Sequence, residues 1–155
     1  MWNRRRSVTL SLWVCYLAAA VLAVGLFAGP WAVEVWFRLY RGWEENSEGL
    51  ARMITLFKAC FYPCACLGFV TLYSLIRLLL NIKKDSIFIM RNVKYLRRIS
   101  WCCIAVSLIT LAAGVLYIPY VFISVAAGFM GLMLRVVKNV MENTVQLKEE
   151  NELTI

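Results

Sequence analysis

Six cysteines, at positions 15, 60, 64, 66, 102 and 103, are the side chains in this sequence best equipped for chemistry. Thiol–disulfide exchange needs an activated thiolate, most simply supplied by a Cys-x-x-Cys pair, and no such spacing occurs here. The neighbours Cys102 and Cys103 point to different faces of any helix that carries them. A cysteine in apolar surroundings behaves as a small hydrophobe, and that is the reading taken for most of the six. Cys102 and Cys103, near the end of an apolar stretch, could instead carry palmitoyl groups.

Other chemistry is poorly provided for. The chain has no histidine, hence no imidazole base or ligand. Asp85 is its single aspartate and lies in a polar connection, so no aspartyl dyad can form within an apolar segment. No His-Glu-x-x-His, phosphate-binding glycine loop or nucleophile elbow is present. The expectation is a non-enzymatic protein with no catalytic, cofactor-binding or metal-binding residues. Ion-coupled transport usually keeps an ionisable group in mid-membrane. Glu34 is closest to that role, but it stands at the end of its apolar stretch rather than within it.

The elements that hold these residues are set by solvent. From Ile99 to Leu134 there is no Lys, Arg, Asp or Glu. One helix of that length would measure about 54 Å, against a hydrocarbon core of about 30 Å. A fold at Tyr117-Ile118-Pro119-Tyr120 makes it two spans. Ser7–Val33 is uncharged, and Met53–Leu80 is interrupted only by Lys58 and Arg77, near its ends, where long side chains can snorkel. The apolar run of the first stretch exceeds a signal-peptide core, so an uncleaved anchor is expected. The fold class expected is all-α: an integral membrane four-helix bundle with spans at about 8–32, 54–80, 99–117 and 119–140.

Charge sets the orientation. Arg4, Arg5 and Arg6 precede the first span, and Lys83, Lys84, Arg91, Lys94, Arg97 and Arg98 lie between the second and third. The 34–52 loop mixes Arg38, Arg41 and Arg52 with Glu34, Glu44, Glu45 and Glu48. Basic residues collect on the cytoplasmic side, so a cell-membrane protein with both termini cytoplasmic is expected. Within the outer loop, Trp31, Trp36, Tyr40 and Trp43 suit a membrane interface. Gly42 and Glu44–Ser47 should interrupt any helix there. Glu34 and Lys58 could pair or simply be solvated. The net charge of +8 lies beside membrane spans, where anionic lipid head groups attract it. Direct nucleic-acid binding is not expected.

Between the second and third spans, 84–98 reads as an in-plane amphipathic cytoplasmic helix capped by Asp85 or Ser86. Arg91, Lys94, Arg97 and Arg98 gather on one side, with Phe88, Ile89, Val93, Tyr95, Leu96 and Ile99 on the other. Asn92 interrupts the apolar side and needs a partner, either another segment or a local one. The 141–155 tail extends the fourth helix and ends on Leu153-Thr154-Ile155 after an acidic run. Gly25 with Gly29, and Ala127 with Gly131, form small-residue faces suited to close helix packing, within one chain or between copies. Pro63 is expected to kink the second span.

Two segments, Ser86–Ser100 and Leu147–Ile155, together resemble the YoaS-like bacterial membrane family, a domain of unknown function (number 2975). Phe88, Asn92, Leu96 and Arg97 match its middle-loop pattern of a phenylalanine followed by Glu-Asn-x-x-x-Leu-Arg. Glu150, Leu153, Thr154 and Ile155 match its closing Glu-x-x-Leu-Thr-Ile. Arg91 departs from the pattern, standing where the family commonly has an acid, so a contact made by that acid would be missing. The resemblance implies four spans and no established activity. It also implies a possible partner, because genes of such families often neighbour a small Xre-type helix-turn-helix regulator. On this reading the eight matching residues form a cytoplasmic interaction surface, with Asn92 and Arg97 contacting the Glu150–Ile155 tail. The protein would be regulatory, the alternative being a small transporter or channel subunit acting as a homo-oligomer.

Overall fold

A computed structural model describes residues 4–41, 48–84, 88–115 and 118–153. These form four helices and no strand: α1 (Arg4–Arg41), α2 (Glu48–Lys83), α3 (Met90–Gly114) and α4 (Pro119–Leu153). Lipid offers no partner for backbone N–H and C=O groups, so apolar chain of this composition closes its hydrogen bonds within helices. All four are long and apolar enough to cross a membrane, and the protein is a multi-pass membrane protein.

The helices outrun the apolar runs that predicted them. α1, with 38 residues, is about 57 Å long and continues through Pro30 to Arg41. The connection expected over 34–52 shrinks accordingly: 34–41 extend α1 and 48–52 open α2. The break expected at Gly42 and Glu44–Ser47 lies outside the described residues. α2 runs on through Pro63. It closes where the Lys84 N–H donates to Leu80 O and Asn81 O at 3.2 and 3.1 Å. Lys83 in its last turn complements the negative helix end.

One expectation is corrected. Residues 90–98 are not part of a separate in-plane helix. α3 starts at Met90 and runs unbroken to Gly114, through the boundary expected near Ile99. Its N-cap is Ile89, in extended conformation and without a side-chain cap; Asp85 and Ser86, the caps expected, lie outside the described residues. No proline or glycine stands between Met90 and Gly114 to stop the helix. The apolar side of the expected surface helix is instead one continuous stripe of α3. Val93, Leu96 and Ile99 are buried in the protein along with Cys102, while Arg91, Lys94, Arg97 and Arg98 are exposed.

Packing follows chain order. α1 packs on α2, α2 on α3 and α3 on α4, with no close backbone approach between non-consecutive helices among the described residues. The bundle is therefore open. On the α1–α2 seam, a Cβ at Gly29 would lie 3.2 Å from the Phe61 ring, and one at Gly68 would lie 3.3 Å from Leu22. Gly25, by contrast, has nothing within 4 Å of where its Cβ would stand.

The α3–α4 seam is the tightest and runs antiparallel in heptad steps. Ser100 Oγ donates to Gly131 O at 2.8 Å. Seven residues further along α3 and seven back along α4, Ser107 Oγ donates to Ser124 O and Ser124 Oγ donates to Ser107 O, each at 2.8 Å. Between these cross-links a Cβ on Gly128 would come within 2.9 Å of Ser107 Oγ, and one on Gly131 within 3.0 Å of Ile104. Small residues let the backbones approach and serine hydroxyls then reach across. The small-residue face around Gly131 is thus spent within the chain. At the hairpin, Pro119 opens α4 at the position where its missing N–H costs nothing.

Candidate functional site at the basic end of the bundle

α4 has 35 residues and measures about 52 Å, well beyond a hydrocarbon core of about 30 Å. Its uncharged part ends at Leu134, level with the end of the uncharged part of α3 at Ile99. From Arg135 onward the helix projects past the apolar layer, its first turns there lying beside the opening turns of α3. Polar contacts concentrate at this end.

Asn92 is fully buried, and its Oδ1 accepts a 2.7 Å hydrogen bond from Asn81 Nδ2 in the last turn of α2. Burial of an amide demands such a partner, and this one ties α2 to α3 where residues 85–87 connect them. Five residues on, Arg97 Nη2 donates to Glu142 Oε1 on α4 at 3.1 Å. Lys138 Nζ approaches the other oxygen of Glu142 at 2.6 Å. The hydrogen bond from Lys138 and the adjacent charges of Lys138 and Arg97 hold the Glu142 carboxyl below the usual carboxylate range. A further turn along, Val145 is buried, so the overhang of α4 is packed as well as ion-paired.

The Arg135 guanidinium sits 4.8 Å from the centre of the Trp101 ring, a cation–π contact at the edge of the apolar layer. Arg97, Ser100, Trp101, Arg135, Lys138 and Asn139 line a cleft of about 250 Å³ between α3 and α4.

Of the eight residues predicted for an interaction surface, the structure brings some into this region and leaves others undescribed. Phe88 is exposed, Leu96 is buried and Arg97 is the exposed partner of Glu142. Glu150 is exposed on the last turns of α4. Leu153 ends that helix with its side chain undescribed, and Thr154 and Ile155 lie outside the described residues. The partners seen for Asn92 and Arg97 are Asn81 and Glu142. Sequence reasoning passed over both, though each carries a signal. Asn81 separates Leu78-Leu79-Leu80 from Ile82, and Glu142 is the one acid between Arg135 and Lys148.

At the opposite end Glu34 and Lys58 face each other across α1 and α2 at 4.0 Å. All six thiols are free, with Cys15 and Cys102 buried. Among the described residues no cluster of three metal-ligating side chains occurs, and no buried side-chain nitrogen or oxygen lacks a hydrogen-bond partner.

Residues 38–155 match the family described as a protein of unknown function (DUF2975), and the chain belongs to that family. No curated protein and no solved structure matches it.

Proposed function

We propose that this DUF2975 member is a non-enzymatic regulatory or interaction protein of the cell membrane, with both termini cytoplasmic and its basic end receiving a cytoplasmic partner. The reading rests on the built overhang of α4. A helix that only anchored the chain would have no need of a buried valine and a two-cation clasp on Glu142 beyond the apolar layer. That overhang presents Lys148, Glu149, Glu150 and Asn151 as an exposed polar helix end. Orientation follows from the gathering of Lys83, Lys84, Arg91, Lys94, Arg97, Arg98, Arg135 and Lys138 at one end. A small Xre-type helix-turn-helix regulator is the partner that the resemblance suggests.

Purification of the full chain in mild detergent, with and without residues 147–155, tests this. The truncation keeps Glu142 and Val145, so the bundle itself should survive. A helix-turn-helix protein that accompanies the full chain and is lost on truncation supports the reading. Recovery of copies of this chain alone, in both forms, overturns it.

A second reading, an oligomeric transporter or channel subunit, is favoured by one observation: the open packing leaves α1 and α4 without each other as neighbours. Ion or solute flux through reconstituted vesicles would establish it. Against it, the seam serines Ser100, Ser107 and Ser124 spend their hydroxyls on the facing helix.

A further inference from the structure

We propose that the cleft between α3 and α4 is a binding site for a phosphate ester, and that its ligand is the head group of an anionic phospholipid in the leaflet at the basic end. This differs from diffuse attraction of a basic surface to lipid, because the cations are few, placed and convergent. It does not depend on the partner proposed above.

Arg97, Arg135 and Lys138 line the cleft with Asn139, and Glu142 engages Arg97 and Lys138 through one oxygen each. Three cations against one carboxylate leave an excess of positive charge. The donors are not exhausted either: an ammonium has three N–H groups and a guanidinium five, and one of each is spent on Glu142. Ser100 adds no donor, since its proton lies on Gly131 O. Arg135 is pre-positioned by the Trp101 ring, and a planar guanidinium held in this way suits the oxygens of a phosphate.

Position selects the lipid. The cleft opens where the uncharged parts of both helices end, the depth of phosphate groups in a bilayer, and Trp101 marks that interface. Below it, one heptad along α3 from Trp101, Leu108 is exposed. On α4, Leu132 lies one turn inward of Arg135 and Val125 a heptad further, both exposed. A head group held by Arg135 would therefore have an apolar track for its acyl chains, which a free phosphate would not use.

The test is retention of phosphatidylglycerol by the full chain in detergent, against phosphatidylcholine and with inorganic phosphate as competitor. Arg135→Gln should reduce retained phosphatidylglycerol about tenfold, the equivalent of one charge-assisted hydrogen bond, with phosphatidylcholine unaffected. Arg91→Gln, on the exposed side of α3 and outside the cleft, should leave retention unchanged. Asn139→Leu, which fills the cleft without changing charge, should also weaken retention and stands in if Arg135→Gln fails to fold. Equal losses for Arg91→Gln and Arg135→Gln would reduce the effect to surface charge and overturn the site. Displacement of the lipid by inorganic phosphate would overturn the lipid assignment.

Discussion

Asn81 Nδ2 donates to Asn92 Oδ1 at 2.7 Å, joining the last turn of α2 to the first turn of α3. Asn92 is fully buried, so the amide that interrupts the apolar side of this segment is an internal tie between helices.

Asn92→Leu leaves the Asn81 amide without this acceptor and should cost about 1–3 kcal/mol, read from unfolding of the purified protein in a denaturing detergent. The double replacement Asn81→Leu with Asn92→Leu should cost less than the sum of the two singles, because neither amide is then stranded. Additive losses would show that the two side chains are not coupled.

The Glu142 clasp should fail in acid. Its carboxyl is held below the ordinary range by Lys138 and Arg97, so its contribution is present above the unfolded pKa. That contribution is lost as pH falls through the lower folded value. Protease cleavage within 146–153 should therefore rise at acid pH. Glu142→Gln should cleave readily at neutral pH and lose most of this pH dependence; a variant that kept it would assign the effect to another group.

Gly131 and Gly25 should respond oppositely to alanine. A Cβ on Gly131 meets Ile104 at 3.0 Å and both Cys103 and Ser100 O at 3.3 Å. Gly131→Ala should therefore push α3 and α4 apart at a cost of about 1–3 kcal/mol. Gly25→Ala meets nothing within 4 Å and should be neutral or stabilising by up to about 1 kcal/mol, the helix-propensity gain. Thermal unfolding in detergent compares them directly.

The reciprocal serine pair should be worth little energy for its geometry. Ser107→Ala and Ser124→Ala each remove one hydroxyl that donates across the seam. Each hydroxyl donates to a backbone carbonyl that the other replacement leaves in place, so each single loss should be about 0.6 kcal/mol and the two should be nearly additive. Single losses near zero in thermal unfolding would make close packing at Gly128 and Gly131 the main source of seam stability.

Sequence alone determined the solvent, the number of spans and the end at which basic residues gather. Hydropathy over some twenty residues is a local sum, and lipid leaves a chain of that composition only the helix. Tertiary structure decided what depends on which helix faces which. The row of Val93, Leu96 and Ile99 is amphipathic whether it lies on lipid or packs against α2 and α4, and periodicity does not distinguish those surfaces. Asn81 and Glu142 stand out in the sequence, but which residue each of them meets was decided by the fold. Asn81 is eleven residues from Asn92 and Glu142 forty-five from Arg97, and only the antiparallel packing of α4 on α3 brings the second pair together. The cleft of Arg97, Arg135 and Lys138 has the same origin: charge counting finds the cations, but their convergence beside Trp101 exists only once α4 lies antiparallel on α3.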